Sequence, residues 1–325
     1  MHARGKGLLA LLVLAVLALV VAGCGGDDGG GGGGGGGGET STQAADRPGQ
    51  GKPPVTIGTK DFTEEFVLGE LYSQALRAKG YTVNLKRNIG PTEIVDKALT
   101  SKRIDAYPEY TGITLAVVAK EDLPKTPEET ATKAKEFYEG RGQTVIGPTP
   151  FQDVDAIATT KDFAAKNNLK SVADLAKLSS FSLGARPEFK SRFTGLVGMR
   201  QEYGIDNARF KQLALGLQYQ ALDKGDVDAA NVFSTDAQLA SGKYTVLEDP
   251  KGIFGFQNVY FVINKAKYDQ LGGKAFGDVI ASVNKLLTND AMQSMNSAVD
   301  IDKKDPKAVA AQFLRANGLV GGSGS

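Results

Sequence analysis

The stretch Ile104-Asp-Ala-Tyr-Pro-Glu-Tyr-Thr-Gly112 predicts a strand that leads directly into a ligand site. Its apolar start, 104–107, is typical of a strand, and Pro108 is expected to stop that strand because proline has no N–H for a sheet ladder. Tyr110 and Thr111 then lie where a new helix would begin. In open α/β sheets, ligands bind at the carboxyl ends of the strands. The stretch therefore places an aromatic ring and free backbone N–H groups beside a ligand.

A second copy of this pattern occurs later in the chain. Asp105 lies five residues before Tyr110, and Asp228 lies five residues before Phe233; in both copies an alanine follows the aspartate. Each unit ends in an aromatic residue beside hydroxyl residues. Two such units predict two lobes that face one cleft. The alternative is that this is an ordinary α/β joint and both aromatics belong to the core.

Composition narrows the possible functions. A chain of 325 residues is long enough for two α/β domains. Its net charge of +1 is spread without a basic block, so nucleic-acid binding is not expected. The sole histidine, His2, lies in the leader, which removes histidine bases, Ser–His or Cys–His triads and histidine-ligated zinc from a mature protein. Neither a cofactor nor a metal is predicted, and carboxylate or lysine chemistry stays open.

Residues 1–24 are predicted to be a lipoprotein signal peptide. The apolar run from Leu8 to Ala22 suits the central region of a signal and is short for a membrane span. It ends Val21-Ala-Gly-Cys24, which looks like a bacterial lipobox, so Cys24 is the predicted lipidation site. Acyl chains on Cys24 would anchor the protein to a membrane at the cell surface or in the periplasm. The alternative is an ordinary secretory signal with a chance cysteine.

Residues 25–54 are predicted to be a disordered, glycine-rich tether. An unbroken glycine run from Gly29 to Gly38 is followed by small and polar residues. Such a sequence cannot bury a core and behaves as a flexible coil. A leash between a lipid anchor and a folded domain is the natural role.

Strand and helix patterns alternate from Val55 onward, which predicts an α/β fold with mostly parallel sheets flanked by helices. Asp61-Phe-Thr-Glu64 has the spacing of a capping box that opens a helix. Lys60 precedes it, so an anion at that helix N-terminus is one interpretation and a solvated surface lysine is the other. We place lobe 1 at 55–150 plus 257–320, lobe 2 at 151–256 and a tail at 321–325. Two crossover strands then form a hinge.

Several stretches resemble the substrate-binding proteins of osmoprotectant ABC transporters, the glycine betaine/carnitine/choline family. They are Ile57-Gly-Thr-Lys60-Asp-Phe-Thr-Glu64, Asp105-Ala-Tyr-Pro-Glu-Tyr-Thr-Gly112, Pro187-Glu-Phe-Lys-Ser-Arg192, Ser234-Thr-Asp236 and Ala298-Val-Asp-Ile-Asp-Lys303. The resemblance covers roughly residues 53–320. It implies a type II periplasmic binding protein, with two lobes that close on a solute and deliver it to a membrane permease. A monomer that is not an enzyme is expected.

The resemblance also implies roles for individual residues on the carboxylate side of the ligand. Lys60 matches a family lysine and Arg192 a family arginine, and these bind the carboxylate of betaine from opposite lobes. Arginine suits this role because its guanidinium makes two parallel hydrogen bonds to a carboxylate. Glu188 matches a family glutamate, for which we favour an ion-pair or lobe-closing role.

The ammonium side departs from the family pattern, in which aromatic faces surround a trimethylammonium head. Tyr110 matches a cage tyrosine, with Thr111 beside it, and Phe233 stands where a tyrosine is common. Asp155 and Gln257 fall at or near two further cage positions. Replacement faces are expected from Phe151, Phe256 or Tyr260. Asp155 and Gln257 are able either to accept N–H bonds or to balance a quaternary charge.

These residues leave several functional interpretations. The leading one is an anchored protein that captures a small quaternary ammonium solute, either a zwitterion or a cation. The second keeps the role and replaces the solute by an amino-acid-like zwitterion whose protonated amine is held by Asp155 and Gln257. A third is a secreted enzyme on the same fold that uses Asp153, Asp155 or Glu188. A fourth is a lipoprotein domain that only touches partner proteins.

Overall fold

The structure of the protein is a computed structural model that describes residues 47–321. The predicted signal peptide with Cys24, the predicted tether before residue 47 and residues 322–325 of the predicted tail lie outside the described residues. Within the described part of the chain, no helix is long and apolar enough to cross a membrane.

The first lobe is built on a five-stranded sheet. Its strands are β1 (Val55–Gly58), β2 (Val83–Lys86), β3 (Ala106–Tyr110), β4 (Gln143–Ile146) and β10 (Val259–Asn264). Their order across the sheet is β2-β1-β3-β10-β4. β1 pairs in parallel with β2 and β3, whereas β10 pairs antiparallel with β3 and β4.

Helices cover this sheet and close the first core. They are α1 (Thr63–Ala78), α2 (Thr92–Thr100), α3 (Thr111–Ile113, continued as a π-helix over Thr114–Ala119), α4 (Pro127–Gly140), α8 (Lys265–Gln270), α9 (Lys274–Asn284), α10 (Asn289–Asp300) and α11 (Pro306–Ala316). Apolar side chains of α1, such as Leu68 and Leu71, are fully buried with Phe261 of β10 and Leu314 of α11. The C-terminal helices therefore belong to the same hydrophobic core as the first strand.

The second lobe repeats the plan with a second five-stranded sheet. Its strands are β5 (Asp155–Thr160), β6 (Phe181–Ala185), β7 (Ala208–Gln212), β8 (Ala229–Phe233) and β9 (Tyr244–Leu247). The order is β7-β6-β8-β5-β9. Its helices are α5 (Lys161–Asn167), α6 (Gly198–Tyr203) and α7 (Gln218–Asp223), with short 3-10 turns at Val172–Lys177, Pro187–Lys190 and Ala237–Ser241 and a π-helix at Phe193–Val197.

Both sheets are mixed, and in each of them four strands run in one direction while the fifth, β10 or β5, runs against them. Each sheet contains two parallel and two antiparallel pairings. The antiparallel ones involve β10 and β5, the strands that enter each lobe from the other lobe. Such a strand starts at the cleft and runs away from it, whereas the strands of the βα units run toward it. The apolar pattern of a single strand does not predict the direction in which that strand runs in its sheet.

The strand in the opening stretch also differs from the expectation at Pro108. The prediction stopped it before the proline, but β3 continues through Pro108 to Tyr110. Proline is tolerated because β3 pairs with β1 only at Ala106. Beyond that residue its ladder partner is β10 alone, where Pro108 lies opposite Phe261. Proline is found in sheets where one side of the strand has no partner.

Two crossing segments join the lobes side by side. Thr149 donates its N–H to the Val259 carbonyl at 2.9 Å, and Asp153 donates to the Gln257 carbonyl at 3.2 Å. The Asn258 amide reaches back to the Thr149 carbonyl at 3.0 Å. The two crossing segments are thus hydrogen-bonded to each other between the two sheets.

Residues 47–54, which the sequence assigns to the tether, pack on the first lobe instead. Gly49 is buried, and its N–H donates to the Lys79 carbonyl at 3.0 Å. A Cβ at Gly49 would lie 2.3 Å from the Tyr81 backbone nitrogen, so only glycine permits this approach. The composition of residues 47–54 did not predict this packing, because it depends on backbone hydrogen bonds and not on apolar side chains.

The two aspartates of the repeated pattern perform the same task in both lobes. Asp105 accepts the Thr56 N–H at 2.8 Å through its carboxylate, and its own N–H donates to the Thr56 carbonyl. Asp228 accepts the Ser182 N–H at 2.7 Å and donates to the Ser182 carbonyl. Each aspartate therefore fixes the start of its strand to the neighbouring strand, and the two strands end in Tyr110 and Phe233 at the cleft.

Candidate functional site

A cavity lies between the lobes at the ends of β3 and β8. Tyr110 ends β3, Phe233 ends β8, and Phe62 immediately precedes α1. The Phe62 and Phe233 rings are stacked with centroids 5.5 Å apart, and the Phe62 and Tyr110 centroids are 6.1 Å apart. Inside the cavity, the volume that the centre of a water molecule can occupy is about 40 Å³. One ordered water needs about 10–15 Å³ on that measure, so the space suits a small solute rather than a peptide.

Eight of the ten predicted ligand-binding residues line this cavity. They are Lys60, Tyr110, Asp153, Asp155, Glu188, Arg192, Phe233 and Gln257. The structure adds Asp61, Phe62, Pro91, Thr92, Ile113, Arg186 and Leu215 to the lining. Residues of both lobes therefore share one cavity, as the repeated pattern predicts.

Thr111 and Phe256 do not line the cavity, which corrects both assignments. The Thr111 side chain is buried, and its hydroxyl donates to the Phe256 carbonyl at 3.0 Å. Phe256 lines a separate surface pocket with Leu123 and Phe193. Among the other proposed replacement faces, Phe151 is fully buried in the first core and the Tyr260 hydroxyl donates to the Ala131 carbonyl. The third aromatic face comes from Phe62 instead.

Lys60 forms a buried ion pair with Glu109. Only 4% of Lys60 and 0% of Glu109 are exposed. The Glu109 carboxylate also accepts the Tyr110 N–H at 2.7 Å, which fixes the carboxylate in place. The Lys60 ammonium lies 4.4 Å from the Tyr110 ring centroid, a distance typical of a cation–π contact. Lys60 therefore faces the cavity as part of a pair and not as a free cation.

Arg186 is a buried cation of the second lobe that lines the same cavity as Lys60. Its guanidinium binds Asp155 with two hydrogen bonds of 2.7 and 2.8 Å. It also contacts the Asn231 side chain and lies 3.2 Å from a Glu188 oxygen. The guanidinium carbon is 5.0 Å from the Phe233 ring centroid. Asp155 is thus neutralised within the protein.

Arg192 joins the two lobes by an ion pair to Glu93 of α2. The shortest nitrogen–oxygen distance is 2.8 Å, and the Glu93 side chain is about half exposed. Burial acts to raise the pKa of Glu93, but the Arg192 guanidinium outweighs it and the pKa is lowered. Each cation in the cavity lining is therefore paired with at least one carboxylate, and the Arg192 pair is the one with a partner open to water.

Glu64 departs from its predicted role in a capping box. The residue preceding α1 is Phe62, which makes no side-chain cap. Glu64 instead points into the interior, where it accepts hydrogen bonds from the Tyr110 hydroxyl at 2.8 Å, the Thr235 hydroxyl at 2.7 Å and the Asn296 amide at 3.0 Å. Burial and then Glu64 raise the pKa of Tyr110 well above its ordinary value, so this hydroxyl stays a donor.

Gln257 lines the cavity, but its amide is already used by the backbone. Its oxygen accepts the Ile113 N–H at 3.0 Å, and its nitrogen donates to the Phe254 carbonyl at 2.9 Å. Gln257 therefore fixes the second crossing against α3, and these bonds would have to break before the amide bound a solute.

Sequence reasoning missed Phe62, Arg186 and Glu109. Phe62 was hidden inside the apparent capping box, although its place beside Lys60 at a helix N-terminus was a usable signal. Glu109 directly precedes Tyr110 in the opening stretch, where it was available as a partner for Lys60. Arg186 follows a strand, at the position where the first lobe carries its own site residues.

Comparisons with known proteins agree over nearly all of the described residues. The profile of one family, described as the substrate binding domain of ABC-type glycine betaine transport system, matches residues 53–316. A glycine-betaine-binding protein of Pseudomonas aeruginosa is 31% identical over 276 residues, which are 81% of this chain and 88% of that protein. A carnitine transport binding protein of Listeria monocytogenes is 26% identical over 282 residues, which are 84% and 90% of the two chains.

Solved structures agree with this match. A crystal structure titled as a glycine betaine/carnitine/choline ABC transporter aligns with a TM-score of 0.67 at 26% identity. The alignment covers 82% of this chain and 99% of that chain. Its two-lobed architecture is the one described above.

Proposed function

Since this chain belongs to the family of substrate binding domains of ABC-type glycine betaine transport systems, we propose that it captures a small quaternary ammonium solute between its lobes and delivers it to an ABC permease. The glycine betaine, choline and carnitine class is the expected solute class. The proposed location is outside the cytoplasm, with Cys24 as the lipid anchor, and the proposed functional unit is a monomer.

The observation that carries this proposal is the set of three rings, Phe62, Tyr110 and Phe233, that line one small cavity from both lobes. A quaternary ammonium group cannot donate N–H hydrogen bonds, and an aromatic face attracts it by cation–π contact. Each such contact contributes about 0.5–2 kcal/mol. Because the rings come from two lobes, a head held between them favours the closed state over the open one.

Arg192 and Lys60 are the proposed contacts for a solute that carries a carboxylate. Arg192 is the better placed, because its partner Glu93 is half exposed and a solute carboxylate can take over part of the contact. Lys60 has the buried Glu109 as its partner, so its contribution is expected to be a directed charge beside the Tyr110 ring.

The alternative solute, an amino-acid-like zwitterion with N–H groups, depends on Asp155 and Gln257. Asp155 is matched by Arg186, and both ends of the Gln257 amide bind backbone groups. Neither is positioned as a free acceptor, so we rank this solute class second. An enzymatic role for Asp153, Asp155 and Glu188 has no geometric support, since Asp155 and Glu188 both contact Arg186.

A thermal-shift panel on the purified protein tests the solute class. Glycine betaine, choline and carnitine are expected to raise the melting temperature, while glycine and alanine are expected to leave it unchanged. A ligand at 100 times its dissociation constant adds about 2.7 kcal/mol of stability. Phe233→Ala should reduce the shift and Phe233→Tyr should retain it, because the aromatic face is kept in the second variant.

Two results of this panel would contradict the proposal. A response confined to solutes with N–H groups would favour the amino-acid-like class. A response to 3,3-dimethylbutanol equal to that for choline would show that shape rather than charge is recognised, because this alcohol is the uncharged carbon analogue of choline.

Arg192→Ala is expected to weaken glycine betaine binding by about 1.5–3 kcal/mol, the usual range for a hydrogen bond to a charged group. Choline binding should change less, because choline has no carboxylate. Isothermal titration calorimetry measures both. Glu93→Gln is the matched control, since it removes the inter-lobe ion pair and keeps the guanidinium. If Glu93→Gln weakens both solutes as much as Arg192→Ala does, Arg192 acts through lobe closure alone.

A further inference from the structure

Thr235 joins carboxyl groups from both sides of the cleft. Its hydroxyl oxygen lies 2.7 Å from a Glu64 oxygen and 2.8 Å from an Asp153 oxygen. Glu64 belongs to the first lobe, Thr235 lies two residues beyond the end of β8, and Asp153 lies on the first crossing segment. All three residues are at least 95% buried. We call this arrangement the carboxyl bridge.

A count of hydrogens requires one extra proton in the carboxyl bridge. A threonine hydroxyl has one hydrogen and can donate to only one of its two neighbours. With both carboxyls ionised, the other contact would place two oxygens at hydrogen-bond distance with no hydrogen between them. Both contacts are hydrogen bonds only when one carboxyl is protonated and donates to the threonine oxygen.

The surrounding contacts assign the proton to Asp153. Burial raises the pKa of Glu64 as well, but the donors Thr235, Tyr110 and Asn296 favour its ionised form and oppose that rise. Among residues 47–321, Thr235 alone donates hydrogen bonds to the Asp153 carboxyl, and the one from its backbone N–H is long at 3.3 Å. Burial and then the Glu64 charge raise the pKa of Asp153 well above its ordinary value. The order along the bridge is therefore Asp153 to Thr235 to Glu64, each donating to the next.

The charges around the bridge do not replace this proton. The cations that face it are Lys60, on the Glu64 side, and Arg186, on the Asp153 side, and both are engaged in ion pairs of their own. The other titratable groups around it are Glu65, Tyr110, Tyr219, Asp236 and Asp300. Burial raises the pKa of Asp236 to about 6, so this neighbour adds negative charge at neutral pH.

A second cavity connects the bridge with the protein surface. Its volume is about 290 Å³ on the same measure as above, and its lining runs from buried Glu64 and Asp153 to exposed Lys303. Because Thr235 and Glu64 belong to different lobes, separation of the lobes would break their contact and admit water to both carboxyls. The pKa of each carboxyl would then return toward its ordinary value of about 4. Both carboxyls would therefore be ionised at neutral pH.

We propose that closing of the two lobes takes up one proton, which the Glu64–Thr235–Asp153 bridge holds, so that a proton is a co-ligand of the captured solute. The solute part of this inference rests on the proposed function; the closing part does not. A group that gains a proton on closing stabilises the closed form at low pH and loses that effect as the pH rises. Solute affinity should therefore fall up to tenfold per pH unit as the pH rises from the ordinary carboxyl pKa to the raised pKa of the closed bridge, and it should level off at higher pH.

Calorimetry with glycine betaine measures the proton directly. At pH 7, titrations in phosphate and in Tris differ by the number of protons taken up times the difference in buffer ionisation enthalpy. We expect measurable proton uptake for the wild type and none for Asp153→Asn, whose amide donates to Thr235 without a proton from solution. Asp302→Asn, an exposed control, should behave as the wild type.

Uptake of no proton by the wild type, or unchanged uptake in Asp153→Asn, would overturn the inference. If Asp153→Asn fails to fold, Thr235→Val supplies the second variant, because it removes the hydroxyl that joins the carboxyls. Loss of proton uptake in that variant supports the bridge, and retained uptake refutes it.

A solute-free experiment separates this inference from the proposed function. Fluorescence energy transfer between dyes on Glu128→Cys and Lys166→Cys, in a Cys24→Ser chain, reports the distance between the lobes. Lowering the pH from 8 to 6 should increase the closed fraction in the wild type and have no effect with Asp153→Asn. A glycine betaine titration without heat, combined with this pH response, would reject the solute and keep the bridge. No pH response would reject the bridge.

Discussion

Replacing Arg186 with methionine is expected to lower the free energy of unfolding by about 3–5 kcal/mol, the usual cost of removing one partner from a buried ion pair. Asp155 would lose its cation in a site that is only 5% exposed, with the Asn231 amide as its remaining side-chain donor among the described residues. The methionine side chain retains much of the packing volume against Phe189 and Phe233, so lost contacts contribute little. Urea denaturation followed by circular dichroism gives the difference.

Two further variants isolate the charge effect. Asp155→Asn combined with Arg186→Met should be more stable than Arg186→Met alone, because the double variant buries no unpaired charge. Lys190→Met changes an exposed cation in the same turn and should shift stability by less than about 0.5 kcal/mol. If Arg186→Met were as mild as Lys190→Met, the Asp155 pair would have no structural role and Asp155 would be available to a solute.

Lys60→Met is expected to destabilise the first lobe by a similar amount, about 3–5 kcal/mol. The ammonium faces Glu109, which is fully buried, and the neighbouring Glu65, whose pKa burial raises to about 8. Without the lysine the Glu109 charge has no cation beside it, and the Tyr110 ring loses a contact. Glu109→Gln in the same chain should restore most of the stability, since it removes the unpaired charge.

The stable double variant Lys60→Met, Glu109→Gln then tests the carboxylate contact. Glycine betaine should lose more affinity than choline if Lys60 directs its charge at the solute. Equal losses for the two solutes would limit Lys60 to positioning the Tyr110 ring. Titration calorimetry with both solutes distinguishes these results, and neither depends on the stability measurement.

The position of the site could be predicted from sequence because both lobes use the same local unit. The spacing from Asp105 to Tyr110 equals that from Asp228 to Phe233, and both aspartates clamp the adjacent strand. An aromatic residue five positions later must then reach the carboxyl end of its strand. Local patterns of this kind are set by neighbouring residues, which a sequence displays directly.

The pairing of charges could not be predicted in the same way. Asp155 begins β5 and Arg186 follows β6, 31 residues further along the chain, and Glu93 and Arg192 belong to different lobes. Whether a carboxylate is free or matched depends on how the strands are ordered, and the order depends on the direction of the crossing strands. The expectation that Asp155 would serve the solute followed from leaving Arg186 out of account.

The insertion of β10 between β3 and β4 has a consequence for the order in which the chain folds. When only residues up to Ile146 have been synthesised, β3 and β4 lack the strand that later lies between them, and the helices Asn289–Asp300 and Pro306–Ala316 are missing from the core. The first lobe therefore completes last, although it begins first. Unpaired strand edges that persist this long attract other chains. We expect this lobe to depend on chaperones until its C-terminal residues arrive, and a chain truncated before Val259 to aggregate.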